Sequence, residues 1–188
     1  MASEKTALLV IDVQRGILND PILARKKEIN RAFDETVARI AGLIERARTA
    51  SVPVIYMQHD GGPGHRLEPE TSGWPLRDEI APRAGERVIH KRACDSFFET
   101  TLDAELTAGG IKQLVICGCM TQYCIDTTVR RAVGLGYDVV LAADGHTTAD
   151  TETLRFEQII AHHNALLDGF EAGEHEVRVC ASAEIRFI

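Results

Sequence analysis

Residues 114–136 read LVICGCMTQYCIDTTVRRAVGLG, an apolar strand, a glycine and then an amphipathic helix. The apolar run is typical of a buried strand, and Gly118 ends it. Helical periodicity follows from Thr121, so Cys124 lies close to the first turn of a helix that follows a strand. Backbone N–H groups there have no helical partner, and the helix dipole favours negative charge. We therefore expect Cys124 to ionise easily and to act as a nucleophile.

The same change from an apolar run to a helical stretch recurs along the whole chain. Six strands are predicted, at residues 7–11, 53–57, 87–90, 113–117, 138–143 and 177–180. Helices between them are predicted to begin near Asn30, Thr100, Cys124 and Asp150 or Thr151, the last with Leu154 on its apolar face. This alternation predicts an α/β fold: a six-stranded parallel sheet between two layers of helices, in a single domain over residues 1–188.

The composition narrows the classes of partner. The 188 residues carry a formal net charge of −7, which argues against nucleic acid or an anionic membrane as the main partner. No uncharged apolar run is long enough to cross a bilayer. Residues 1–5 lack the features of a signal peptide, so a cytoplasmic location is expected. The odd number of cysteines, five, argues against a disulfide framework in a protein expected to be cytoplasmic. They include no CxxC pair, which argues against a structural zinc site.

Titratable residues follow the carboxyl ends of the predicted strands, which is the edge at which parallel sheets bind ligands. They are Asp12, His59, Asp60, Lys91, the turn 119–124, Asp144 and His146. A carboxylate, an ammonium group and a thiol at one edge can serve as base, electrostatic partner and nucleophile. The sequence therefore predicts a catalytic site there.

Three motifs resemble those of the isochorismatase-like cysteine hydrolases, a family that includes nicotinamidases and N-carbamoylsarcosine amidohydrolases. Residues 9–14, LVIDVQ, resemble the family's strand that ends in D-x-Q. Residues 90–98, HKRACDSFF, resemble its lysine motif. Residues 118–128, GCMTQYCIDTT, resemble its nucleophile motif, G-x-x-T-x-x-C-V-x-x-T. The resemblance covers essentially the whole chain and implies a Rossmann-like, three-layer fold.

By this resemblance the catalytic triad is Asp12, Lys91 and Cys124. Taken singly, they could be a loop aspartate, a solvated lysine and a small buried side chain, but their joint occurrence in matching motifs favours catalysis. The family also implies a cis peptide bond at Cys119–Met120, which would aim backbone N–H groups, including that of Cys124, at an oxyanion. The implied activity is hydrolysis of a C–N bond in a small amide, carbamoyl or ureido compound through a thioester, by a homo-oligomer.

The loop after the second strand departs from the nicotinamidase pattern, because it lacks their D-x-H metal motif. His59, Asp60 and His65 could still supply three ligands to zinc. Loop histidines are more often solvated or bound to substrate, so we expect no metal and no other cofactor. The departure also favours amides other than nicotinamide.

Other chemistries use parts of the same set of residues. Isochorismate-type vinyl ether hydrolysis needs the aspartate but not the sulfur, so Cys124 counts against it. Cys119 and Cys124 could instead form a thiol redox or binding pair, although the strand setting of Cys119 favours packing. His146 could act as the base of a Cys–His pair. Asp144 is expected to fix a loop or cap a helix.

Side chains that flank the motifs are candidates for binding the substrate. They are Gln14, His59, Trp74, Phe97, Phe98 and Tyr123. The aromatic rings could close over a small planar substrate and exclude water. One of the two phenylalanines could equally anchor its loop to the core.

Overall fold

A twisted, mostly parallel sheet organises residues 5–19 and 24–187, which are the residues that the computed structural model describes. The strands are β1 (Lys5–Ile11), β2 (Val54–His59), β3 (Arg87–Lys91), β4 (Ile111–Cys119), β5 (Asp138–Thr147), β6 (Glu171–Ala172) and β7 (His175–Cys180). The helices are α1 (Lys26–Thr49), α2 (Leu102–Gly109), α3 (Asp126–Gly134) and α4 (Phe156–Leu167). Short helical turns occupy Asp78–Ile80, Thr121–Ile125 and Ser182–Glu184. The strands lie in the order β3-β2-β1-β4-β5-β7-β6.

The predicted α/β fold is confirmed, with one correction to the number of strands. All six predicted strands are present, and they pair in parallel. The seventh, β6, has two residues and pairs antiparallel with β7. The chain reverses between them through Gly173, whose φ of +67° is easily adopted by glycine. A strand of two residues is too short to leave a periodic pattern, so it could not be predicted from the sequence.

Helices cover both faces of the sheet, which explains why the strands read as unbroken apolar runs. On one face, Leu8 and Val10 belong to a core shared with α1 and with Phe156 of α4. On the other face, Leu9 and Ile11 belong to a core shared with α2 and α3. Apolar residues at helical spacing on α1 are buried: Phe33, Val37, Ile40, Ile44 and Ala47.

The helix boundaries differ from those predicted. Helix α1 begins at Lys26, one turn before Asn30. The carboxylate of Asp150 accepts the backbone N–H of Phe156 at 2.8 Å, so it binds the start of α4 from six residues upstream. The intervening residues form a loop, which leaves Leu154 exposed outside the helix. Capping signals thus located the helix, but tertiary contacts decided where it begins.

None of the helices within residues 5–19 and 24–187 has both the length and the apolar character needed to cross a membrane. Residues 1–4, on which the expected absence of a signal peptide rests, lie outside the described residues.

Gly118 allows β1 and β4 to approach each other where the site begins. Its φ is +128°, and a Cβ atom at this position would lie 2.0 Å from the carbonyl oxygen of Ile11. No side chain can be accommodated at that distance from a backbone atom. The glycine therefore brings the turn after β4 against the residue that follows β1, which is Asp12.

Replacing Gly118 with alanine is expected to destabilise the protein by about 3 kcal/mol or more, because β1 and β4 must separate. The midpoint of thermal unfolding should then fall by roughly 6–12 °C. Gly134→Ala is the matched control, since a Cβ there meets no atom within 4 Å. An equal melting temperature for the two variants would show that the close approach is not required.

Candidate active site

Asp12 stands directly after β1, between the ends of β2 and β4. Its φ of +50° lies in the left-handed region, which aspartate tolerates better than most residues. Its N–H donates to the carbonyl oxygen of Met57 at 3.0 Å, and its own carbonyl oxygen accepts the N–H of Gln14 at 2.8 Å. These bonds hold the carboxylate at the carboxyl end of the sheet, buried from solvent.

Lys91 is the last residue of β3, and its side chain reaches Asp12 although β2 separates the two strands. Its Nζ lies 2.7 Å from Oδ2 of Asp12, and both side chains are fully buried. The same ammonium group donates to the carbonyl oxygen of Ala93 at 2.8 Å. The pair is therefore a buried ion pair with a further hydrogen bond to the backbone.

Cys124 lies in the π-helical turn Thr121–Ile125 between β4 and α3. Two N–H groups of this turn donate to the carbonyl oxygen of Met120, which bends the chain sharply before the helix. The cysteine is 8% exposed. Its thiol is close enough to Asp12 and Lys91 to shift the pKa of both groups, and they shift its pKa in turn. The three residues of the predicted triad thus converge on one point.

The electrostatics of the three groups fit a protonated thiol beside a basic carboxylate. Burial raises the pKa of Asp12 well above its usual range and Cys124 adds to this effect, while Lys91 opposes it. Burial alone would lower the pKa of Lys91, but Asp12 and Cys124 outweigh it and the pKa is raised. A hydrogen bond with Cys94, and then burial, raise the pKa of Cys124. The expectation that Cys124 ionises easily is therefore wrong, and the thiol needs a base.

Gln14, expected to bind substrate, is a structural clamp instead. Its amide donates to the carbonyl oxygens of His59 at 3.0 Å and Trp74 at 2.7 Å. Its Oε1 accepts the N–H of His59 at 2.9 Å. The side chain is fully buried, and both amide protons are used. Gln14 therefore fixes the end of β2 and the loop around Trp74 and has no donor left for a ligand.

The aromatic candidates divide into core and surface residues. Phe97 is buried and stacks on Tyr137, with ring centroids 6.0 Å apart, so it anchors its loop and does not line a pocket. Phe98 and Tyr123 are 56% and 50% exposed. Trp74 is half-buried, and its Nε1–H donates to Asp60 at 2.8 Å. The expectation for Phe97 is thus corrected, while Phe98 and Tyr123 are free to contact a ligand.

His59 remains a candidate for contact with substrate. It is half-buried at the end of β2, in register with Lys91. Its Nδ1 is buried, and no residue of the described ranges hydrogen-bonds to it. Burial, followed by the charge of Lys91, lowers the pKa of His59 to about 4, so the ring is neutral near pH 7. A neutral imidazole can accept or donate one hydrogen bond to a polar substrate.

The three residues considered for zinc do not form a metal site. Asp60 Oδ1 accepts the indole N–H of Trp74 and lies 3.0 Å from Nδ1 of His90. The rings of His59 and His65 are 5.7 Å apart at their centroids. Across residues 5–19 and 24–187, no three His, Cys, Asp or Glu side chains are grouped so that they could hold a metal ion.

Cys119 and His146 are both committed elsewhere. Cys119 is fully buried, and burial raises its pKa well above the usual range, so it is not a reactive thiol. The peptide bond that joins it to Met120 is cis, as the resemblance implies. His146 is buried with Nδ1 2.9 Å from the hydroxyl of Thr121 and Nε2 2.8 Å from Oδ1 of Asn164. Both ring nitrogens are occupied, so a Cys–His pair is not formed.

Asp144 has the loop-fixing role expected of it. Its carboxylate accepts the N–H of Ser182 at 2.7 Å and the Ser182 hydroxyl at 3.1 Å. These bonds join the end of β5 to the turn that follows β7.

Two side chains near the site had no role in the sequence interpretation. The thiol of Cys94 is close enough to that of Cys124 for each to shift the pKa of the other. The guanidinium group of Arg66 lies 3.5 Å from the sulfur of Met120, beside the nucleophile turn. Cys94 lies inside the lysine motif, three residues after Lys91, and this position was the one feature of the sequence that could have placed it near the site. Nothing in the sequence placed the loop that carries Arg66.

Two cavities lie near the site, one at Lys91 and one at the nucleophile turn. One of about 500 Å³ is lined by Lys91, Asp60, His90 and Phe98, among others. Another, of about 180 Å³, lies against Met120, Tyr123 and Arg66. A cavity of about 690 Å³ lies at the opposite edge of the sheet, near Lys5 and Ile111, and is remote from these residues. The cavity at Lys91, of about 500 Å³, has a volume that suits a small molecule.

Comparison with known proteins agrees with this geometry. Residues 6–168 match the isochorismatase domain. The chain belongs to the isochorismatase family. Its fold is similar to that of an isochorismatase from Pseudomonas putida, with a TM-score of 0.83 and 30% identity, covering 96% of this chain and 89% of that one.

Relatives in this family are named as hydrolases and amidohydrolases. A streptothricin hydrolase from Streptomyces noursei is 40% identical over 144 residues, which are 77% of this chain and 50% of that protein. The chain therefore spans about half the length of that relative, and 55% of a second streptothricin hydrolase. The ureidoacrylate amidohydrolase RutB from Azorhizobium caulinodans is 31% identical over 183 residues, covering 81% of this chain and 80% of that protein.

Replacing Lys91 with methionine is expected to destabilise the protein by about 3–5 kcal/mol near pH 7, because the Asp12 carboxylate would be buried without its partner. The raised pKa of Asp12 means that the folded state favours its protonated form. The loss of stability should therefore shrink as the pH falls toward ~4, where Asp12 is protonated in the unfolded chain as well. Urea unfolding of the variant and the wild type at several pH values measures this.

Two controls accompany this measurement. The double variant Asp12→Asn with Lys91→Met removes both charges and should lose less stability than the sum of the single variants. Arg87 lies on the same strand as Lys91 and forms an exposed ion pair with Glu105 of α2. Arg87→Met breaks this pair and should change the free energy of unfolding little at any pH. A loss for Lys91→Met that is small or independent of pH would contradict the buried pair.

Proposed function

We propose that the protein is a cysteine hydrolase that cleaves a C–N bond of a small amide, carbamoyl or ureido compound through a thioester. The observation that supports this proposal is the convergence of Asp12, Lys91 and Cys124 at one edge of the sheet, where a cavity of about 500 Å³ reaches Lys91. Membership of a family with named amidohydrolases supports it independently.

In the first half of the proposed reaction, Asp12 takes the proton of the Cys124 thiol. The thiolate attacks the carbonyl carbon, and the new oxyanion is held by backbone N–H groups of the nucleophile turn, including that of Cys124. Lys91 stabilises the negative charge that moves between carboxylate and sulfur. Asp12 then gives its proton to the leaving nitrogen as the C–N bond breaks, so that ammonia or an amine departs and an acyl group remains on sulfur.

In the second half, Asp12 removes a proton from a water molecule, which attacks the thioester carbonyl. The C–S bond breaks, the sulfur regains a proton from Asp12, and a carboxylic or carbamic acid leaves. The raised pKa of Asp12 suits both halves, because a base and acid works best when its pKa approaches the working pH. His59, Phe98 and Tyr123 are the proposed contacts to the substrate.

The competing chemistries have less support. In vinyl ether hydrolysis the Cys124 sulfur, which lies beside Asp12, would have no catalytic role. A redox pair of Cys119 and Cys124 is disfavoured, because Cys119 is sealed in the core. We retain the expectation of a homo-oligomer and of no cofactor as part of this proposal, and light scattering and metal analysis of the purified protein test them.

Replacing Cys124 with alanine is expected to lower kcat for amide hydrolysis by about 10³-fold or more, because the nucleophile is lost. Ammonia release from a panel of small amides, carbamoyl and ureido compounds measures it, and mass spectrometry of the quenched wild type should detect the acyl group on Cys124. Cys180→Ala is the control for loss of a cysteine away from the site. A Cys124→Ala protein that keeps its activity refutes the mechanism.

On the acid side of the pH profile, kcat/KM is expected to fall with a midpoint above pH ~4, which is the pKa of an ordinary aspartate. Asp12 must be ionised to act as base, and its pKa is raised, so activity is lost as the pH falls through that raised value. His59→Asn should leave the position of the midpoint unchanged, which separates Asp12 from the nearby imidazole. A midpoint at or below pH ~4 would mean that another group is the base.

A further inference from the structure

A second sulfur lies against the nucleophile. Cys94 and Cys124 are close enough that each shifts the pKa of the other's thiol, and Cys94 is exposed while Cys124 is almost buried. Cys94 belongs to the loop that follows β3, whereas Cys124 belongs to the turn before α3. The contact therefore joins two segments that are thirty residues apart in sequence.

The loop that carries Cys94 is fixed in place on both sides of the cysteine. On one side, the carbonyl oxygen of Ala93 accepts a hydrogen bond from Lys91 at 2.8 Å. On the other, the N–H of Ser96 donates to the hydroxyl of Thr128 in α3 at 3.1 Å. That hydroxyl also lies 3.3 Å from the carbonyl oxygen of Cys94 itself. These hydrogen bonds to Lys91 and to α3 hold the loop that carries Cys94 against the triad and the start of α3, one helical turn from Cys124.

The surroundings of the pair favour reaction of sulfur. The hydrogen bond with Cys124, and then the positive charge of Lys91, lower the pKa of Cys94 to about 6 although burial opposes them. A large fraction of Cys94 is thus thiolate near neutral pH. Cys117 and Cys119 are fully buried, and burial raises the pKa of both. Cys94 is consequently the cysteine able to react with an oxidised Cys124.

We propose that Cys94 and Cys124 are a site of reversible oxidation, at which a hydroperoxide converts the two thiols to a disulfide that blocks the nucleophile. Asp12 takes the proton of the Cys124 thiol, and the thiolate attacks an oxygen of hydrogen peroxide. The O–O bond breaks, the leaving hydroxide takes the proton from Asp12, and sulfenic acid and water form. The Cys94 thiolate then attacks the Cys124 sulfur, the S–O bond breaks, and a second water leaves after protonation. Two thiols are oxidised by two electrons, and one peroxide is reduced to two waters.

The disulfide would protect the enzyme as well as switch it off. A sulfenic acid without a neighbouring thiol is oxidised further to sulfinic acid, which thiols do not reverse. A disulfide is reduced by a dithiol, which restores both sulfurs. The formation of the bond needs no turnover, and only its effect on turnover rests on the proposed function.

The experiment treats the full chain with hydrogen peroxide and maps the cysteines by mass spectrometry. Trypsin places Cys94 alone in the peptide 93–112, while Cys117, Cys119 and Cys124 share the peptide 113–130. We expect these two peptides to become linked within one chain, with fragmentation assigning the link to Cys124. Free thiols should fall from five to three and return to five with dithiothreitol.

Two variants test the assignment. In Cys94→Ser, peroxide should drive Cys124 to sulfinic acid, and dithiothreitol should restore neither the thiol nor the activity measured before treatment. Cys180→Ser should form the link as the wild type does. Sulfinic acid at Cys124 in the wild type with Cys94 still free would overturn the proposal, as would a link from Cys124 to Cys119 or a link between two chains. The mapping needs no turnover, so its failure is distinguishable from failure of the proposed activity.

Discussion

The buried contact between the Lys91 ammonium group and the Asp12 carboxylate is the constraint on which the site depends. The two atoms are 2.7 Å apart and neither side chain reaches solvent. Removing a charge from water costs several kcal/mol per ion, and a close partner offsets that cost only if it is held firmly. Here the carboxylate is fixed by backbone bonds at the end of β1, and the ammonium group by a carbonyl oxygen of its own loop. A thiol placed against this pair has a base and a cation within reach.

The strand order explains why the pair forms at this edge. Strands β2 and β3 lie on one side of β1, and β4 and β5 lie on the other, so the direction of winding reverses between β1 and β4. Loops diverge at such a reversal and leave a crevice at the carboxyl ends of the strands. Asp12 and the turn that carries Cys124 are the two walls of this crevice. Gly118 permits their close approach, because any larger residue would collide with Ile11.

Many polar residues around the crevice serve to hold it and do not react. Gln14 uses its whole amide group to join β1, β2 and the loop at Trp74. His146 bridges Thr121 and Asn164, with a pKa lowered to about 4 chiefly by burial, so it remains a neutral support for the nucleophile turn. A buried polar network of this kind is rigid only when its members are satisfied. Unsatisfied groups such as His59 Nδ1 stand out against it as places for a ligand.

The sequence by itself determined the layers of the fold and the three residues that meet at its edge. Apolar runs without alternation require burial on both faces, and motif spacing put Asp12, Lys91 and Cys124 at the ends of different strands. Only the tertiary structure decided which polar side chains remain free. Gln14 and Phe97 have the residue types of pocket walls but are used by the core, while Cys94 proved to touch the nucleophile. These outcomes depend on contacts between segments far apart in the chain, and no local pattern records the partner of a side chain.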